Sequence, residues 1–205
     1  MKRFTVAMFI AFACTMAAKV CAQQTCWTQY SAALNYERFG GTYEKSGYTL
    51  SADINVHWRS PLFGSLLVGY SWYDGSKPVT VDYSTGTVDD NVSDRKTQLM
   101  FAVGPGLDLL SNNIDRFYFA LYVGYAIVRY EHAYFAGTER YTPEDDIDGV
   151  MCLGRLGYEH QFGRSTTVGV FVQGSYVGKE FNWGVGLRVG FRTSTFNVKK
   201  PMRVR

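Results

Sequence analysis

Asn182-Trp183-Gly184-Val185-Gly186-Leu187-Arg188-Val189-Gly190-Phe191 alternates without a break. Trp183, Val185, Leu187, Val189 and Phe191 form one series; Asn182, Gly184, Gly186, Arg188 and Gly190 form the other. Side chains of a β-strand alternate between two faces, whereas a helix would scatter both series around its axis. The stretch therefore predicts a strand with one bulky apolar face and one face of glycine and polar groups. At 48–59, Tyr48, Leu50, Ala52, Ile54, Val56 and Trp58 oppose Thr49, Ser51, Asp53, Asn55, His57 and Arg59 in the same way. At 97–109, Leu99, Phe101, Val103, Leu107 and Leu109 oppose Met100, Ala102, Gly104, Gly106 and Asp108. At 167–176, Val168, Val170, Val172 and Tyr176 oppose Thr167, Gly169, Phe171, Gln173 and Ser175.

Segments 27–38, 62–73, 116–131 and 149–162 alternate more weakly and bring the expected count to about eight strands. In them Phe63, Leu67, Tyr118, Tyr122, Met151 and Leu153 fall on the face that should be polar. A narrow barrel accommodates such residues, because its interior is filled by side chains. The connections alternate in length. Those at 60–61, 110–115 and 163–166 are short; those at 39–47, 74–96, 132–148 and 177–181 include two long ones. Outer-membrane barrels have short periplasmic turns and longer extracellular loops, and an even strand number returns both ends to one side.

The 205 residues suit one domain, and 15 Tyr, 14 Phe and 21 Gly favour β structure. A net charge of +3 with no like-charge block in the body argues against a nucleic-acid partner. Lys2 and Arg3, an apolar run at 4–18 and Val20-Cys21-Ala22 read as a secretory signal at 1–22, leaving 23–205 as the mature domain. Cys14 and Cys21 raise a lipoprotein reading, but Ala11-Phe12-Ala13 lacks the usual leucine and Lys19 interrupts the approach to Cys21. Cys26 and Cys152 remain, too few for a disulfide framework. Their expected places, before the first strand and near the far start of the sixth, are too far apart for a bridge. No mature segment has the roughly 20 apolar residues of a membrane-spanning helix.

A lipocalin is also an eight-stranded secreted barrel, so the polarity of the wall decides. A soluble barrel turns its apolar face inward, and a membrane barrel turns it outward between aromatic girdles. Here the continuous apolar face is made of large residues, and the other is dominated by Gly, Ser, Thr and scattered charges. Aromatics gather at strand ends: Tyr36, Tyr48, Trp72, Tyr176 and Trp183 at one, Trp58, Phe117, Phe162 and Phe191 at the other. The expected fold is all-β: a closed antiparallel transmembrane barrel in an up-and-down meander.

The last strand resembles the assembly signal of outer-membrane barrels, with Asn182, Gly184 two residues on, then Leu187 and Val189 at alternating positions. With the signal peptide and loop asymmetry, the mature chain resembles the small outer-membrane barrels of the OmpX and OmpA transmembrane type. It departs from them where 192–205 continues past Phe191. The resemblance implies outer-membrane lipid and lipopolysaccharide as surroundings, the barrel-assembly machinery as a partner, a monomer and periplasmic termini. It names no extracellular partner.

Glu37, Asp53, Asp108, Arg155, Glu159 and Arg188 all fall on expected lumen positions. Charges in a poorly hydrated lumen need partners, and Asp53 should be neutralised by Arg155 or Arg188 across the barrel. Such a network is expected to plug and stiffen the barrel; a gate or proton path is the alternative. No catalytic residues, cofactor or metal ligands are expected. His57, His132 and His160 are dispersed, and neither a His-x-Ser pair nor a Gly-x-Ser-x-Gly elbow occurs. The acidic segment Glu144-Asp145-Asp146-Ile147-Asp148-Gly149 lacks the spacing of an EF-hand and reads as a solvated loop. The expected role is structural or surface-interacting, with a narrow channel and a lipid-modifying enzyme as alternatives.

Overall fold

The computed structural model describes residues 27–40, 46–58, 61–83, 86–112, 114–132, 134–136, 139–141, 144–178 and 180–194. The segment expected as a signal peptide, 1–22, together with Cys26 and residues 195–205 of the expected tail, lies outside the described residues. The strands are β1 (Trp27–Gly40), β2 (Ser46–His57), β3 (Leu62–Tyr83), β4 (Gly86–Ser111), β5 (Asp115–His132), β6 (Tyr134–Ala136), β7 (Glu139–Tyr141), β8 (Glu144–Phe162), β9 (Thr166–Val177) and β10 (Glu180–Ser194). Eight of them close a barrel in the order β1-β10-β9-β8-β5-β4-β3-β2, all neighbours antiparallel. β6 and β7 form a separate small hairpin between β5 and β8. Closure through β1 and β10 pairs each of the eight barrel strands on both edges, so the described wall has no open edge.

Alternation decides which side each residue takes. On β10, Trp183, Val185, Leu187, Val189 and Phe191 are about half exposed, while Asn182 and Arg188 are buried. The interior has two unlike walls. β9, β10, β1 and β2 turn in Gln29, Ser31, Asn35, Thr49, Asn55, Thr167, Ser175 and Asn182. β3, β4, β5 and β8 turn in Phe63, Leu67, Met100, Tyr118, Tyr122, Met151 and Leu153, one contiguous apolar cluster. This asymmetry explains why 62–73, 116–131 and 149–162 alternate weakly in sequence. Their inward residues pack on one another rather than on the polar wall.

Inward glycines make room for large neighbours. A Cβ on Gly106 would lie 2.0 Å from the Phe63 ring, and one on Gly157 2.6 Å from the Tyr118 ring. One on Gly186 would lie 2.4 Å from the Phe171 ring. In each pair the aromatic is the glycine's direct cross-strand partner. Gly106→Val is therefore expected to destabilise the fold by about 1–3 kcal/mol through overpacking. Phe63→Leu in the same chain should recover part of that loss, read as unfolding midpoints of the four chains of the cycle.

Three expectations are corrected. The connection at 74–96 is not a loop: β3 and β4 continue as a two-stranded arm, paired from Gly75–Asp94 to Tyr83–Gly86. Val79, Val81 and Tyr83 suit a strand, and pairing satisfies the backbone groups the arm carries beyond the barrel. The acidic segment at 144–148 likewise belongs to β8, paired with 127–131 of β5. Residues 192–194, expected in the tail, extend β10 opposite 27–29 of β1. The fourth strand bulges: Asp108 pairs with Tyr118 but Leu110 with Phe117, which leaves Leu109 unpaired and both leucines outside. The turn at 163–165 and the one after Val177 are tight, and Gly163 (φ 65°) and Gly178 (φ 61°) supply their left-handed residues.

Candidate functional site: an ion-paired lumen

All six charges expected in the lumen lie on the inward face. Glu37, Asp53, Arg155, Glu159 and Arg188 are no more than 2% exposed, and the Asp108 side chain is 11% exposed. β2 and β8 stand diametrically opposite in the ring, and Arg155 spans that diameter. Its Nη1 lies 3.3 Å from Asp53 Oδ2. Arg188, on β10, donates to the other oxygen of Asp53 through Nη2 and to Glu159 through Nη1. Asp53 thus receives both candidate arginines, and Asn55 Nδ2 adds a third donor at 3.1 Å.

The network extends to both ends of the barrel. Towards the terminal end, where β1 begins and β10 ends, Glu159 also takes Arg116 Nη1 at 3.2 Å and Gln29 Nε2 at 2.9 Å. Arg116 Nε donates to Asp108 Oδ1 at 2.5 Å, and His57 Nδ1 lies 3.4 Å from Asp108 Oδ2. The His57 ring is stacked on Trp27, with centroids 3.5 Å apart, and it faces Phe63 at 4.8 Å. Towards the hairpin end, Arg155 donates to Gln173 Oε1 at 2.9 Å, and Gln173 donates to Glu37. Glu37 also accepts from Asn35 at 2.8 Å and from the Tyr73 hydroxyl at 2.6 Å. Above them Lys96 Nζ lies 2.5 Å from Glu180 Oε2, which also accepts from Tyr130 at 2.8 Å.

Cations reaching out of the apolar wall rest on aromatic faces. The Arg155 guanidinium lies 4.3 Å from the Phe171 ring centre. That of Arg116 lies 4.5 Å from Phe63 and 4.6 Å from Tyr118. Desolvation strengthens such contacts, so the rings supply part of what water would have given these guanidiniums. Down this column Lys96, Arg116, Arg155 and Arg188 meet Asp53, Asp108, Glu159 and Glu180, while Glu37 is held by the neutral Asn35, Tyr73 and Gln173, and Arg192 approaches Glu159 only to 3.7 Å. Arg116, Lys96 and Glu180 were not among the expected lumen charges. Lys96 shares its parity with Gln98 and Met100, and Glu180 with Asn182, so extending those two strands by a residue or two would have found them; Arg116 already stood at the start of its assigned segment, on the parity of Tyr118 and Tyr122, and was passed over.

Of the assembly-signal residues, Asn182 and Gly184 face inward and Leu187 and Val189 outward. A Cβ on Gly184 would meet the Tyr36 carbonyl oxygen at 2.4 Å and Glu37 Cγ at 2.8 Å, so this glycine also lets β10 close onto β1. Cys152 is a free, exposed thiol on the outward face. His57 lies inside and His160 outside; the side chain of His132 lies outside the described residues. His160 Nδ1 is 2.8 Å from Asp115 Oδ1, which also accepts from Tyr158 at 2.6 Å. Among the described residues, no serine, threonine or cysteine hydrogen-bonds the His160 ring. No group of three or more metal-ligating side chains occurs among them either.

Among solved structures, the chain is similar to OprG of Pseudomonas aeruginosa, with a TM-score of 0.56 at 10% identity over 84% of this chain and 97% of that one. The fold is that of the small outer-membrane barrels. Ail of Yersinia pestis, solved with the heparin analogue sucrose octasulfate, gives a TM-score of 0.53 at 9% identity over 82% of this chain and 99% of that one. Neisserial surface protein A gives 0.54 at 10% identity over 81% and 96%. All three are eight-stranded. No family model matches the sequence. No curated protein matches it either. The likeness therefore lies in architecture: strand number, closure and meander order.

Proposed function

We propose that this protein is an integral barrel of the outer membrane, closed internally by its own ion pairs, that presents its hairpin end as a surface for interaction. The observation that supports this most is the outward face. Among the described residues, thirty large hydrophobic side chains are exposed, including Val150 at 65%, Leu187 at 63% and Val123 at 58%. A water-soluble monomer rarely shows more than a few hundred Å² of contiguous apolar surface. On β10 the band runs from Phe181 to Phe191, about 33 Å along a strand; a barrel tilt of roughly 40° projects this to about 25 Å. That is the height of the apolar band of an outer-membrane barrel, about 25 Å.

The inward face supports a plug. Every carboxylate of the column touches a cation or a hydroxyl donor, and the space between is filled by Leu67, Tyr73, Tyr118 and Met151, each 0–1% exposed. The surface role rests on the arm of β3 and β4, whose nine residue pairs beyond Asp74 and Arg95 extend about 30 Å past the wall. Segments 74–95 and 131–148 carry eleven carboxylates against Lys77, Arg95 and Arg140. That composition favours a cationic or neutral partner over a sulfated polyanion of the kind found with Ail.

A narrow channel is the second reading, since charged side chains follow one another from Glu180 to Asp108. Cell fractionation with heat-modifiable gel mobility tests the membrane reading; a soluble protein, or one migrating identically with and without boiling, would overturn it. Planar-bilayer recordings separate plug from channel. Wild-type protein is expected to give no steady ohmic conductance, and regular unitary steps would favour the channel. Incubation with lipid A or phospholipid tests the lipid-modifying alternative by product release.

A further inference from the structure

At the terminal end, Arg192 and Arg164 line a cleft of about 690 Å³ with Trp27, Gln161, Ser165 and Phe191. We infer that this cleft binds the phosphate of an anionic phospholipid headgroup, a reading that rests on the membrane placement proposed above. Three observations lead to it. The first is charge. Glu159 and Asp108 already take Arg116 and Arg188, so Arg192 approaches Glu159 only to 3.7 Å. The close partner of Arg192 is neutral: its Nη1 donates to Gln161 Oε1 at 2.7 Å. Arg164 is exposed and has no acidic partner among the described residues. Asp115, on the neighbouring turn, is itself taken up by Tyr158, His160 and Asn112.

The second observation is depth. Phe162 and Phe191, 56% and 50% exposed, end the outward apolar band at this rim. Side chains just beyond that edge meet headgroups rather than acyl chains. The third is rigidity. The Arg192 guanidinium lies 4.7 Å from the Trp27 ring centre, and its backbone N–H donates to the Ser165 carbonyl at 2.7 Å, tying β10 to the turn that holds Arg164. Two guanidinium groups lining one cleft favour a headgroup of net negative charge over phosphocholine, which carries the same phosphate but adds a trimethylammonium that they would repel.

Native mass spectrometry of the folded, heat-modifiable protein can count bound lipids. Phosphatidylglycerol is expected to bind at least fivefold more tightly than phosphatidylcholine. Arg164→Gln should remove most of that preference, and Arg164→Gln with Arg192→Gln should abolish it. Arg95→Gln, on an exposed residue near the other rim, should leave it unchanged. Equal binding of the two lipids, or an undiminished preference in Arg164→Gln, would overturn the inference. Displacement of phosphatidylglycerol by equimolar glycerol phosphate would overturn the lipid assignment, since a free phosphate would then suffice. Each chain's heat-modifiability is checked separately, so failure of the membrane reading is distinguishable from failure of the site.

Discussion

Asp53→Ala is expected to cost about 3–5 kcal/mol of stability, because it strands buried guanidiniums without their carboxylate. The two arginines should respond differently. Arg155 has Asp53 as its carboxylate partner and otherwise meets the neutral Gln173, whereas Arg188 keeps Glu159 when Asp53 is removed. Adding Arg155→Ala to Asp53→Ala should therefore restore a larger part of the loss than adding Arg188→Ala. Urea unfolding of the single and double variants in lipid vesicles measures both cycles, and a coupling energy of 0.5–3 kcal/mol is typical of contacting pairs. Purely additive losses in both cycles would show that these ion pairs do not operate. Raised conductance with little loss of stability would favour the channel over the plug.

Strand number, meander order and the inward or outward side of most residues were legible because they follow from period-two alternation and from chain connectivity alone. Glu37, Asp53, Asp108, Arg155, Glu159 and Arg188 all reached the lumen by parity. What alternation does not encode is how far a strand continues once it leaves the apolar band. Beyond the band there is no lipid-facing side to mark with large residues, so 75–94 and 144–148 read as loops although they are paired. Lys96 was lost from the lumen for the same reason, one residue beyond the assigned start of its strand. Nor does parity say which inward residues meet across the barrel. That depends on the order of strands around the ring and on reach: β2 and β8 are opposite, and only an arginine-length side chain spans them. The apolar half of the interior was visible as an anomaly, in Phe63, Leu67, Tyr118, Tyr122, Met151 and Leu153. Its meaning emerged when β3, β4, β5 and β8 proved to be adjacent.

Leu187→Arg separates a membrane barrel from a soluble one more sharply than any change in the lumen. Leu187 sits near the middle of the outward run from Phe181 to Phe191 and is 63% exposed. On a soluble barrel an exposed leucine replaced by arginine changes stability by no more than about 0.5 kcal/mol, because both side chains are hydrated in either state. In a bilayer the same change places a guanidinium at the hydrocarbon midplane and is expected to cost about 2–4 kcal/mol. Depth supplies the internal control. Phe191→Arg, at the edge of the band, should cost about 0–1 kcal/mol for the charge itself, since a long cation there reaches the interface. Unfolding from vesicles of Leu187→Arg and Phe191→Arg, each paired with its alanine counterpart to remove the lost packing, measures the gradient. A flat profile, with arginine no worse than alanine at 187, would sink the membrane placement, because only a bilayer makes the cost of a charge depend on its height along the strand.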